Sequence, residues 1–519
     1  MQIDRRAILA ASLAAAAPAP AFAQAAPIAR TQHGRVRGAT IDGVHVFKGV
    51  RYGADTAPRR FQAPLAPRRW SGVRDALGYG AACPQRGLAN ETQSEDCLFL
   101  NVWTRGLRDN AHRPVMFYIH GGAYSSGSGS DPLYDGVRLA QRGDVVVVTI
   151  NHRLNAFGYL SLARLGDFPD SGNAGQLDII LALHWVQENI AEFGGDPNCV
   201  MVFGQSGGGA KIATMMAQPA AAGLFHRAAT MSGQQVTASG PLNAEKRTLA
   251  YMEALGLARG DVEQLRTLPV QRLVSAQSAR DPILDNSGLY FGPVLDFMHL
   301  QRHPFYPDAA PQSLHIPMIL GNTRDETRGF TGQDRAPFSY TWEQVAPALA
   351  TQMRIDTDPA HVVAAYRQRF PDWTPSEVYF AASTAARSWR GQVIEAEERA
   401  RAGAPAYVYQ LDWRSPREGG IFRAPHTLDI PLVFANLEAS SFIGERTEAG
   451  EAMSARMMEA FIAFARTGDP NCAAIPRWTP HNLPTRETMV FDTNTRMEND
   501  PRQWEREFFA AIPYVQPGT

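Results

Sequence analysis

Residues 193–216 read FGGDPNCVMVFGQSGGGAKIATMM, and they set Ser206 among glycines between a short apolar run and a run of helix formers. A serine hydroxyl attacks a carbonyl carbon when a histidine takes its proton and a carboxylate orients that histidine. Gly204 and Gly208 bracket the serine as G-x-S-x-G. The pattern alone recurs by chance, so its context carries the argument. In a nucleophile elbow the serine sits at a strained turn from strand to helix, with flanking positions small enough for the two to meet. Residues 200–203 suit a strand buried on both faces, and residues 210–217 suit a helix. The hydroxyl is then exposed at a helix N-terminus, where backbone N–H groups can face a developing oxyanion.

The partners must come later in the chain, acid before histidine, each on a loop after a strand. Glu326 closes GNTRDE after an apolar run at 317–320, with Asp325 its neighbour and runner-up. Three histidines lie beyond it. His361 belongs to a helical stretch and His481 to a loop with no strand feeding it. His426, in FRAPHTLDIPLVF, follows a strand and a Gly-containing loop and is the base by elimination. YIHGGAYSSGSGS offers oxyanion donors after the strand at 115–119, with Gly121 and Gly122 leaving the backbone open. His120 adjoins those glycines and precedes the serine, so a structural role is expected of it.

These groups need a scaffold. Apolar runs at 115–119, 145–150 and 200–203, with helical periodicity at 176–190, read as parallel strands joined by crossovers, hence an α/β sheet. Two more strands are expected at 317–320 and 406–411. The first residues after 25 alternate apolar and polar with Gly punctuation, as a small antiparallel meander would. Residues 334–401 are mostly helical in pattern and fit a lid or subdomain. There are no repeats and no interdomain linker, so residues 26–519 are taken as one catalytic domain.

With 519 residues and 45% hydrophobic content the chain can bury a large core. A net charge of −1 without a Lys/Arg block argues against a nucleic-acid surface. Residues 1–25 combine Arg5 and Arg6 with an Ala/Leu-rich stretch and Ala-x-Ala sites ending at Ala23 or Ala25. They read as a cleavable export signal of twin-arginine or Sec type, placing the mature protein in the periplasm or medium without a membrane span. In that setting Cys83 and Cys97, around a polar loop, are expected to be bridged, worth about 3 kcal/mol by chain entropy. Cys199 reads as a small hydrophobe, and no Cys/His cluster suggests a metal.

Together these residues resemble the type-B carboxylesterases, the α/β-hydrolase group that includes para-nitrobenzyl esterases and cholinesterases. FGGDPNCVMVFGQSGG carries the family's serine signature and EDCLFLNVWTR, residues 95–105, its second signature. FKGVRYG, NHRLNAFGYL, GNAGQLD, GLFHRA and RWTPHN extend the likeness over nearly the whole mature chain. The resemblance implies an α/β-hydrolase fold and hydrolysis of small-molecule esters without cofactor or metal. It implies Ser206 as nucleophile, Glu326 as acid, His426 as base, and backbone donors at Gly122, Ala123 and Gly207. It also matches Cys83 and Cys97 to the family's first disulfide, and Arg60–Glu95 and Arg153–Asp178 to structural ion pairs. Gln205 stands where the family usually has glutamate, and Gly207 where it usually has alanine, so extra room beside the nucleophile is expected. The loop between Cys83 and Cys97 lacks tryptophan, which makes choline esters poor candidates. The rival class is a non-catalytic binding or adhesion member of the same fold.

Overall fold

The computed structural model describes residues 26–284, 287–331 and 334–516; the export signal expected at 1–25 lies outside them. The N-terminal part forms β1 (Ile28–Thr31), β2 (Gly34–Arg37), β3 (Ala39–Ile41), β4 (Val44–Arg51), β5 (Val73–Asp75) and β6 (Phe99–Thr104). There follow β7 (Arg113–Ile119), β8 (Val146–Ile150), β9 (Gly195–Gln205) and β10 (Arg227–Met231). The last strands are β11 (Met318–Thr323), β12 (Ala406–Leu411), β13 (Glu487–Phe491) and β14 (Arg496–Asn499). β1, β2 and β5 make a small sheet, and the other strands make one of eleven in the order β14-β13-β12-β11-β10-β9-β7-β8-β6-β4-β3. The expected meander is thus divided: β1 and β2 stay in the small sheet, while β3 and β4 extend the antiparallel edge of the large one.

From β8 to β13 every neighbour pair in the large sheet is parallel. β7 and β8 are buried along their whole length, as strands covered by helices on both faces must be. The crossover helix Ala174–Asn189 is buried on most of its surface, with His184 and Glu188 facing solvent. The consequence for function is geometric. Parallel neighbours lie about 4.8 Å apart and end on the same side, so the loops leaving β7, β9, β10, β11 and β12 emerge in a row at one edge.

Residues 334–401 are helical, with helices Trp342–Ala350, Pro359–Arg369 and Pro375–Thr384, a π-helical turn at Ala385–Trp389 and a helix Arg390–Arg401. They share a hydrophobic cluster of their own, built on Val345, Val362, Tyr366 and Phe380 and joined by Phe509 from the C-terminal helix. No helix among the described residues is long and apolar enough to cross a membrane.

Cys83 and Cys97 are both buried and their thiols are close enough to hydrogen-bond. They are nevertheless free, as are Cys199 and Cys472, so the bridge expected from the sequence is not formed here. The reduced pair packs in the core as two small apolar groups, and Cys83 Sγ also accepts from the Leu154 N–H at 3.2 Å.

Both ion pairs expected to be structural are present. Arg60 grips Glu95 through Nε and Nη2 at 2.8 and 2.5 Å. Arg153 grips Asp178 at 2.8 and 2.6 Å, and Asp178 also accepts the Arg153 N–H at 2.9 Å. The second pair is only 2% and 0% exposed, so removing one partner strands a charge in the core. Asp178→Asn is expected to cost about 3–5 kcal/mol in urea-induced unfolding; a loss below about 1 kcal/mol would show that Arg153 is satisfied by its carbonyl contacts alone.

Candidate active site

Ser206 follows β9 and precedes the helix Gly207–Met215, with φ 56° and ψ −125°. Such a backbone is costly for a non-glycine residue. It is held by a hydrogen bond from the Ser206 N–H to the Met231 carbonyl at 2.8 Å and by the helix that starts behind it. That helix opens with three glycines although glycine is a poor helix former. Space explains them: a Cβ on Gly208 would lie 1.9 Å from the Ile119 carbonyl oxygen, and one on Gly207 2.1 Å from that of Ala123. The room expected beside the nucleophile is therefore not there; the Ala123 backbone fills it.

Glu326 starts the short helix after β11 and is fully buried. Its Oε1 accepts from Ser232 Oγ at 2.5 Å, the Thr323 N–H at 2.8 Å and Asn322 Nδ2 at 3.1 Å, while Oε2 bonds His426 Nδ1. Burial works to raise this carboxyl's pKa, but the charge and hydrogen bond of His426, with the other donors, outweigh it and hold the group below the usual range. Asp325, the runner-up, turns away: its carboxylate meets Arg328 at 3.3 Å and the Ala424 N–H at 3.4 Å. His361 is exposed and stacked on Phe508. His481 bonds the Glu487 carbonyl and lines a different cavity.

The His426 ring packs on Phe330 at 4.3 Å. Gln205 Nε2 lies 3.3 Å from Nδ1 and 3.2 Å from Nε2 of the same ring. An atom equally far from both nitrogens at that range cannot lie in the ring plane without colliding with Cε1, so the amide sits over the imidazole face. It contributes a neutral dipole there. Asp429, one turn beyond His426, is buried and accepts from Tyr409 Oη at 2.8 Å; burial first, then the Glu326 charge, raise it to about 6.

After β7, Gly122 and Ala123 adopt φ 82° and 50°. Their carbonyl side is tied down: Gly122 O accepts from the Ser125 and Ser126 N–H groups, and Ala123 O accepts from Lys211 Nζ at 2.8 Å. Among the described residues, the N–H groups of Gly122 and Ala123 donate no hydrogen bond. Lys211 also donates to the His120 carbonyl at 3.2 Å, and burial pulls its pKa down to about 7. His120 is buried against His152, bonded to the Gly121 carbonyl and held down to about 3 by burial and then by Lys211. Its contacts are with the His152 ring and the Gly121 carbonyl, and it does not line the cleft.

The groups meet at a cleft enclosing about 600 Å³ of space open to solvent, lined by Ala123, Ser206, Gly207, Ser232 and His426 among others. Ser232 and Lys211 escaped the sequence reading, and of Gln205 only the departure from glutamate was seen, not its place over the imidazole. Lys211 left a trace, since the chain has only three lysines and one falls five residues after the serine on its helix. Ser232 left none, because β10 (RAATM) carries little strand signal. Among the described residues no cluster of His, Cys, Asp or Glu could hold a metal.

A parallel sheet with a serine elbow after one strand and a Glu–His pair after two others defines an α/β-hydrolase. The chain belongs to the carboxylesterase family: the family model matches residues 25–509. It is 36% identical to a para-nitrobenzyl esterase of Bacillus subtilis, over 92% of this chain and 98% of that protein. A Geobacillus stearothermophilus carboxylesterase superposes with a TM-score of 0.82 at 35% identity, covering 92% of this chain and 99% of the other. A Clostridium hathewayi esterase described as hydrolysing aliphatic aromatic polyesters gives 0.78 at 32% identity, covering 94% and 99%.

Because the Ala123 carbonyl occupies the place of a Gly207 side chain, Gly207→Ala is expected to push the glycine loop away from Ser206. The kcat for p-nitrophenyl acetate should fall about 10²-fold, as when an oxyanion donor is lost, with the circular dichroism spectrum unchanged. Unaltered kcat would show that the loop and the elbow are not in register.

Proposed function

We propose that this carboxylesterase works through an acyl-enzyme on Ser206, with Glu326 and His426 completing a triad. The observation that carries the reading is the Glu326–His426 hydrogen bond beside a serine whose backbone is held at φ 56° on the same cleft. With Nδ1 committed to Glu326, His426 offers Nε2 as the base. It takes the Ser206 proton as Oγ bonds to the ester carbonyl carbon. The carbonyl π electrons move to oxygen, where the N–H groups of Gly122, Ala123 and Gly207 receive the charge. The imidazolium returns the proton to the departing alkoxide, and alcohol leaves. Water, deprotonated by His426, repeats the attack and releases the acid.

Ser206→Ala should abolish turnover of p-nitrophenyl esters without unfolding the chain. Glu326→Gln should lower kcat by about 10³-fold or more, since an amide neither stabilises the imidazolium nor fixes its tautomer. Asp325→Asn should stay near wild type. If Glu326→Gln kept normal kcat while Asp325→Asn did not, the acid would be misassigned; no turnover by the wild type on any ester would favour the binding-protein reading.

The composition of residues 1–25 supports export to the periplasm or medium. There the adjacent Cys83 and Cys97 thiols would meet an oxidising environment and join. Non-reducing peptide mapping of secreted protein should find a Cys83–Cys97 peptide; free thiols at both positions would count against the bridge and against export.

A further inference from the structure

One wall of the cleft comes from the helical segment, and it carries two arginines, Arg354 and Arg387, beside Ser388 and Gln516. Among the described residues no Asp or Glu lines the cleft with them. Both are half-buried, and among the described residues neither is in an ion pair. This sets them apart from the core arginines 60, 153, 247 and 502, each of which is paired with its own carboxylate. Arg390 and Arg399 also lack a carboxylate but do not line the cleft.

Their positions are built. Arg387 lies on the π-helical turn Ala385–Trp389, a wide turn that brings Arg387 and Ser388 together to the cleft. Its Nη1 donates to Gln352 Oε1 at 2.9 Å, and its guanidinium stacks on Phe330 at 4.6 Å, the ring that packs on His426. The backbone of Arg354 is fixed at both ends, its N–H donating to Ala386 O at 3.2 Å and its carbonyl accepting from Val515 N at 2.8 Å. Burial lowers the pKa of both, and the charge of Arg354 adds to the lowering of Arg387 to about 10, so both stay cationic at neutral pH. Two buried carboxyls stand behind the site; the Glu326 charge acts on Arg387 at a distance, but neither carboxyl forms an ion pair with the two arginines. Glu326 is engaged by His426, and Glu395, which accepts the Gln235 N–H, is raised by burial to about 8 and is largely neutral.

Two cations on one partly desolvated wall repel each other, and the Gln352 amide and the Phe330 ring return only part of the lost hydration to Arg387 unless an anion arrives. We infer that the Arg354–Arg387 wall receives a free carboxylate carried by the substrate, so that the preferred esters are anionic, such as half-esters of dicarboxylic acids. The guanidinium fork matches a planar carboxylate, and its contacts strengthen where water is excluded. The stack Arg387–Phe330–His426 places that anion on the same side of the cleft as the base. This rests on the ester-hydrolase reading above and adds the substrate class.

Two substrate pairs test it on either side of the scissile bond: p-nitrophenyl hydrogen glutarate against p-nitrophenyl methyl glutarate, and 4-acetoxybenzoate against methyl 4-acetoxybenzoate. Rates are corrected with Ser206→Ala. In at least one pair the anionic member should be favoured about tenfold or more in kcat/KM, with the preference shrinking as salt rises. Arg354→Gln and Arg387→Gln should each reduce that ratio chiefly through KM, and Arg387→Lys should keep part of it. Should the variants fold poorly, the wild type still decides: glutarate should inhibit hydrolysis of the neutral ester competitively and glutaramide should not. Neutral members favoured in both pairs, or no inhibition by glutarate, would overturn the inference while leaving ester hydrolysis standing. Absence of Ser206-dependent turnover of all four esters would overturn both.

Discussion

At Ser206 the backbone is held in a conformation that L-residues avoid, φ 56° and ψ −125°, and much of the architecture exists to keep it there. The Ser206 N–H is anchored to Met231 at the end of β10, and the helix behind it begins so close to the loop after β7 that Gly207 and Gly208 have no room for a side chain. Neither the elbow nor the glycine loop can move alone. Lys211, from the same helix as the elbow, ties the Ala123 carbonyl down and completes a closed circuit of contacts. In such an arrangement the backbone N–H groups proposed as oxyanion donors are oriented before substrate arrives, which is where electrostatic catalysis gets most of its advantage.

The sheet does the rest by alignment. In the order β12-β11-β10-β9-β7 the strand ends deliver His426, Glu326, Ser232, Ser206 and the glycine loop along one edge. Ser232, from the strand between those that lead to Glu326 and Ser206, donates to Glu326, so each neighbour in the row has a part. Burying Glu326 would favour its neutral form. Donors from Ser232, Thr323 and Asn322 on one oxygen and His426 on the other reverse that and keep it charged where the imidazolium forms.

Much of this was legible in the residues. The strand at Ala406–Leu411 coincides with its apolar run, the crossover helix differs from expectation by a residue or two, and Glu326 and His426, paired in the sequence by order and strand context, are hydrogen-bonded to each other. What stayed hidden depends on tertiary packing. β10 is too short and too rich in alanine to register as a strand, so Ser232 had no address. The glycine at 207 suggested spare volume, because a sequence shows a missing side chain but not the carbonyl that takes its place. Arg354 and Arg387 lie 33 residues apart in a segment that reads only as helical, and nothing local marks them as sharing a wall or as lacking acids. The departure at Gln205 was visible, but its position over the imidazole face was not.

The central claim is that Ser206 is the nucleophile of this carboxylesterase, and covalent capture tests it most directly. Incubation with a p-nitrophenyl alkylphosphonate, followed by peptide mapping, should release one equivalent of nitrophenolate and place one phosphonyl adduct on Ser206, with esterase activity lost in step. Inactivation with the adduct on another residue, or full activity after Ser206 is modified, would contradict the account.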